Sequence, residues 1–261
     1  MNNPWRYRSP DQLLQELWIT APEEIDIEAI ATHCGATVLY EPLRGCEARI
    51  LGRDDRAIIT VNSASRRERQ RFSAAHELGH WMQDHGKMAA GACSEQAFAT
   101  EWFKENPEYR ANRYAADLLL PRAMFCDRAR KQPVAFATVR DLAQQFQTSL
   151  TATAIRLVEL GSFPAMAVCN TLQKREWFCR GPSIPEGLWL LDEPGRDTVA
   201  YDLLRGSTED AGPADVPASG WFAASESSRY LIREDSVRIT PRLILTVLWW
   251  KDERQLLEME W

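Results

Sequence analysis

Residues 71–82 read Arg71-Phe72-Ser73-Ala74-Ala75-His76-Glu77-Leu78-Gly79-His80-Trp81-Met82, and the fold is read outward from them. On a helix, positions four apart share a face, so His76 and His80 can hold a single zinc ion between them. Glu77, beside the first histidine, can take a proton from an attacking water. The chain carries four histidines in 261 residues. Two of them fall at this spacing with a glutamate in the required place, which points to zinc and to hydrolysis. Ala74, Ala75, Leu78 and Met82 fall away from the histidines, and Ser73 and Gln83 fall on their side. This phase predicts an amphipathic helix with its apolar face in a core and both histidines facing a cleft.

Composition narrows the class of protein. With 45% hydrophobic and 26% charged residues, the chain is an ordinary globular protein with a core, one large domain or two small ones. No run approaches the roughly 20 apolar residues that cross a bilayer. The first residues, Met1 to Arg6, lack a signal-peptide core. A cytoplasmic protein with no membrane partner is expected. Six cysteines without a Cys-x-x-Cys pair argue against a disulfide framework or a cysteine-based zinc knuckle. A net charge of −6 supplies no global field for nucleic acid. The basic runs at 66–71 and 128–131 read as solvated helix faces.

In chain order, helices are expected within 8–35, the second from Asp26 to Cys34 and stopped by Gly35. Three β-rich runs follow at 36–40, 47–51 and 57–62, predicting a small antiparallel sheet before the zinc helix. An edge of that sheet could take an extended peptide by strand addition. Ser63 to Ser65 offer caps for the zinc helix, which should run to about His85-Gly86. Pro107 marks the start of another helix, closed by Pro121, on which Glu108, Asn112 and Ala115 share one face. A catalytic zinc needs a third protein ligand and an open position. Glu108 is the best candidate, with Glu101, Glu105 and Asp117 weaker ones. Asn112, one turn on, could hydrogen-bond a ligating histidine. Small Ala111 and Ala115 would let the two helices approach. Cys93, between the second and third ligands, could act as an inhibitory zinc ligand at the open position. The commoner role of such a residue is a small hydrophobe.

Taken together, Ala75-His76-Glu77-Leu78-Gly79-His80 and Glu108-x-x-Ala111-Asn112-x-x-Ala115-Ala116-x-Leu118-Leu119-Leu120-Pro121 resemble the ImmA/IrrE family of bacterial zinc metallopeptidases. Tyr114 stands where the family usually has Phe, Leu120 where it has Met, and Arg110 where many members carry a second Glu. The resemblance covers roughly residues 25–160. It implies cleavage of a helix-turn-helix repressor, releasing stress, mobile-element or phage-defence genes, with activation by DNA damage.

Residues 138–161 read as two short helices, the first opened by a capping box at Thr138-Val139-Arg140-Asp141, and together they resemble a helix-turn-helix. Only Arg156 on the second could touch DNA, so a structural pair is the favoured reading. Beyond residue 162 the composition changes. Five of the ten tryptophans lie past residue 180. Runs at 165–169, 187–191, 228–232 and 243–250 read as strands, with turn-rich spacers at 192–197 and 210–215. The expected architecture is α+β. A mostly helical zinc-peptidase domain with a small antiparallel sheet fills 1–162, and a β-rich domain fills 163–261. The larger members of the family carry a GAF-like sensor there, for which single-stranded DNA or a small ligand would be the activator. The alternative from another class is a non-proteolytic DNA-binding regulator with a structural zinc site.

Overall fold

The computed structural model describes residues 8–83, 91–93, 106–206, 212–223, 227–250, 252 and 254–258, with only the backbone of 91–93 and 257–258. The chain divides into two compact units. The first holds 1–125 with 144–149, and the second holds 126–143 with 150–261.

The first unit opens with α1 (Pro10–Glu16) and α2 (Ile27–His33). Ser9 forms a reciprocal capping box with Gln12 on α1, and the Asp26 side chain accepts from Ala29 N on α2, satisfying amides that a helix start leaves bare. Gly35 follows α2 at φ 79°, a left-handed conformation that glycine takes without penalty. Strands β1 (Ala36–Glu41), β2 (Ala48–Arg53) and β3 (Arg56–Asn62) come next, with a short β4 (Gly91–Cys93). The sheet order is β1-β3-β2-β4. It is not purely antiparallel, as the sequence suggested. β2 and β3 form an antiparallel hairpin, but β3 lies between β2 and β1 and runs parallel to β1, Val38 beside Ile59. The connection from β1 to β2 skips one strand position, which β3 then fills.

One face of this sheet packs on α3 (Arg67–Gln83), which packs in turn on α4 (Pro107–Leu119). Ile59, Val61, Ala74, Ala75, Leu78 and Leu118 are buried in this core. Removal of such apolar surface from water is the main force holding the layers together. Gln70 Nε2 donates to the carbonyls of Asn62, Ser63 and Ser65, tying the start of α3 to the end of β3. Ser65 Oγ donates to Glu47 at 2.5 Å, and the helix begins at Arg67. The expected end of α3 near His85-Gly86 lies outside the described residues.

The second unit contains the second half of α5 (Arg122–Ala129), α7 (Leu150–Leu160), α8 (Val199–Leu204) and α9 (Arg254–Glu258). The intervening α6 (Phe136–Phe146) spans the division. Thr138 is inside α6, not at its start. The cap comes from far along the chain, since Phe136 N donates to Asp235 Oδ2 at 2.7 Å. The five-stranded sheet runs β6 (Arg175–Arg180), β5 (Ala165–Asn170), β9 (Leu243–Trp249), β8 (Leu231–Thr240), β7 (Ala214–Pro217), antiparallel throughout. Residues 187–191 are not a strand. They make one isolated bridge, Leu190 to Phe222. Ser227–Arg229 form a 3-10 turn before β8. β6 and β7 are the edge strands of this sheet. Trp221 and Trp250 are core residues.

Glu234 and Asp235 are adjacent on β8, so they point to opposite faces. Both are buried. Glu234 accepts from Val199 N, Ala200 N, Trp221 Nε1 and Ser236 Oγ, holding the start of α8 as Asp235 holds the start of α6.

Candidate metal centre

α3 is buried on nearly every side. All residues from Ser73 to Met82 are buried, and His76 and His80 are only 6% and 2% exposed. The apolar-face and histidine-face division expected of an amphipathic helix is therefore absent, since both sides are buried. α4 covers the histidines. The contact is close because Gly79, one residue before His80, has no side chain. A Cβ there would meet Tyr114 Cβ at 3.0 Å and both Cα and O of Ala111 at 3.1 Å. Gln83 Nε2 also donates to Arg110 O at 3.2 Å. Ala111 and Ala115 are buried as their small size led us to expect. The role of Gly79 was missed. Its signal was a glycine inside a helix, where it costs about 1 kcal/mol relative to alanine unless packing requires it.

α4 brings Glu108 to the histidines from its first turn. Asn106 caps the helix, its side chain accepting from Glu108 N at 2.9 Å, and Pro107 opens it. Glu108 Oε2 lies 3.2 Å from His76 Nε2, Glu108 Oε1 lies 3.4 Å from His80 Nε2, and the two Nε2 atoms are 3.1 Å apart. All three donors fall within 4.8 Å of one another. Zinc–nitrogen and zinc–oxygen bonds of about 2.0–2.2 Å give a tetrahedron with edges of about 3.3 Å. The donor set and its spacing thus fit one divalent ion. Hydrogen-bonding contact with the His76 ring, then with the His80 ring, holds the Glu108 carboxyl well below the usual carboxylate range in the metal-free site, against the upward pull of burial. The Glu108 side chain is 34% exposed against 7% and 3% for the histidines, so the site is reached from the Glu108 side.

Asn112, one turn after Glu108, has Oδ1 2.8 Å from His76 Nδ1. An amide oxygen only accepts, so Nδ1 carries the proton and, in the neutral ring, Nε2 keeps its lone pair for a metal. Glu77 is fully buried beside His76 on α3. The structure thus brings His76, His80, Glu108 and Asn112 together. Asp117 instead pairs with Arg113 at 3.2 Å. Glu101, Glu105 and His85 lie outside the described residues. The backbone of Cys93 pairs with Ala48, but its side chain, and with it the reading of Cys93 as a ligand, lies outside them as well. Arg156 is 2% exposed and pairs with Glu159 at 3.4 Å, which removes the basic side chain on which DNA contact by 138–161 would have rested.

The geometry meets an independent comparison here. Residues 31–158 match the family model described as the IrrE N-terminal-like domain. The chain carries a domain of the ImmA/IrrE metallopeptidase family. The radiation response metalloprotease IrrE of Deinococcus radiodurans is 28% identical over 170 residues, 62% of this chain and 50% of that protein. The chain therefore matches about half the length of this curated ImmA/IrrE relative. A solved Mycobacterium tuberculosis transcriptional regulator shares the fold, with a TM-score of 0.60 at 13% identity over 92% of this chain and 74% of that one. ImmA/IrrE membership implies a divalent metal, usually zinc, and His76, His80 and Glu108 are the group that could bind one. No helix among the described residues is long and apolar enough to cross a membrane.

Proposed function

We propose that this protein is a cytoplasmic zinc endopeptidase that cuts a helix-turn-helix transcriptional repressor, releasing stress, mobile-element or phage-defence genes. The reading is carried by three donors of the right chemistry at tetrahedral spacing, from the helix that bears Glu77 and its neighbour. One zinc ion, held by His76, His80 and Glu108, would supply a Lewis acid for the scissile carbonyl and acidify the attacking water. Asn112 orients His76 and fixes its tautomer. Glu77 takes the proton from the water and returns it to the leaving amine.

In this proposal residues 1–162 form the peptidase and 163–261 a sensor, GAF-like by analogy with domain order. Single-stranded DNA or a small ligand produced on DNA damage would activate it. Cys93 would hold the zinc latent until the signal arrives, and a Cys93→Ser protein would then show raised basal cleavage.

The test is co-expression with a candidate helix-turn-helix repressor, chosen from any such gene found beside the one for this chain, with and without DNA damage. Wild type should cleave the repressor after damage. Glu77→Gln should bind an equal amount of zinc and lose cleavage by a factor of about 100 or more. An intact repressor in every wild-type condition, or cleavage by Glu77→Gln, would refute the reading.

A further inference from the structure

The sheet of the first unit has a second face, turned away from α3. Leu39, Leu51 and Ile58 lie on it and are 39%, 61% and 44% exposed. They are three of the seven large hydrophobic residues exposed among the described residues. Leu51 is directly opposite Ile58 across β2 and β3. Leu39 stands two residues along β1 from Thr37, the neighbour of Ile58. With strands about 4.8 Å apart, this row is about 10 Å wide, close to the diameter of one helix. Solvent faces of sheets normally carry polar residues, so an aliphatic patch of a direct pair and a diagonal neighbour across three strands calls for an occupant.

Arg49, Arg53 and Arg56 stand on the same two strands and are exposed. Arg49 lies two residues before Leu51, and Arg53 is opposite Arg56 beyond it. Arg49 and Arg56 make no ion pair with a described residue. Three unburied guanidinium groups around an aliphatic row stand out on a chain of net charge −6. They select the occupant by sign. Two copies stacked through this face would set arginine against arginine, which disfavours a self-complementary dimer. The row has no aromatic ring on which a base could stack. An apolar segment with acidic flanks satisfies both features.

We propose that this face is a docking surface for such a segment of the protein substrate, remote from the scissile bond. The inference rests on the peptidase reading above. It assigns the sheet a part in recognising the folded substrate, in addition to backing α3.

The test compares two substrates of the zinc-loaded full chain: the whole repressor and a short peptide spanning its cleavage site. Leu51→Ser with Ile58→Ser should raise KM for the repressor about 10-fold. It should leave kcat and peptide cleavage unchanged. Arg49→Glu with Arg56→Glu should do the same and weaken the salt dependence of KM. Variants that retain the wild-type KM for the repressor overturn the docking surface alone. Equal losses on repressor and peptide also overturn it, since they indicate a structural role. Wild type that cleaves neither substrate overturns the peptidase reading, and the docking surface with it. Binding of wild type, but not the variants, to phosphatidylserine vesicles with KM unchanged would assign the face to a membrane instead.

Discussion

Asn112 would touch no metal, yet it decides which nitrogen of His76 is free to bind one. Its Oδ1 sits 2.8 Å from Nδ1. Asn112→Ala is expected to weaken zinc binding by about 10- to 100-fold, as read by competition with a chromophoric chelator, while Asn112→Asp should recover most of it. Glu108 gives a second prediction. Its carboxyl is held below the usual range mainly by His76. A depressed carboxyl contributes stability in full above its unfolded value, about 4.3, and loses it as pH falls toward the folded value. In chelator-treated protein, denaturation midpoints of wild type and Glu108→Gln should therefore differ near neutrality and converge below about pH 4. A difference that stays constant with pH would rule out this source. The pairing of His76 with His80 was legible in the sequence because spacing along a helix is a local property, and Glu108 was read from the need for a third ligand and its place on the next helix. The fit of Gly79 and the burial of Arg156 were not, since both depend on what another element places against them.

The decisive relation between elements is the closeness of α3 and α4. Gly79→Ala would press a methyl group against the backbone of Ala111 and Cβ of Tyr114. The expected cost is about 1–3 kcal/mol, seen in the denaturation midpoint, together with weaker zinc binding, because Glu108 rides on the helix that must move. α6 shows a different dependence. Its first amide is capped from β8 by Asp235, so Asp235→Ala should cost about 1–2 kcal/mol although it lies some hundred residues from the helix it supports. No local pattern announces such a cap, and the capping box read at Thr138 was misplaced for this reason. The helices of the first unit and strands β1, β2, β3, β5 and β9 were legible from periodicity and turn residues. The parallel pairing of β1 with β3 was not, because strand order is a matter of topology. The edge strands β6, whose Trp177, Phe178 and Cys179 run together without alternation, and β7, four residues ending in Pro217, lack the period-two pattern by which a strand is read.

For the molecule as a whole, each unit has a cluster of buried apolar residues, and the donor group that could hold a metal, as found among the described residues, lies in the first. A ligand bound at 100 times its Kd adds about 2.7 kcal/mol to whatever it binds. Calorimetry with and without a chelator should therefore move a transition belonging to the first unit, while Asp235→Ala moves one belonging to the second. If both perturbations shift a single transition equally, the chain unfolds as one cooperative system.

The burial of α3 on almost every side has a dynamic counterpart. With sheet against one side and α4 against the other, its amide protons can meet solvent only when those layers part. Deuterium uptake over residues 73–82 then reports the free energy of opening of the whole peptidase core. Addition of zinc should slow it most where α3 and α4 close on the ion, turning this one helix into a gauge of site occupancy.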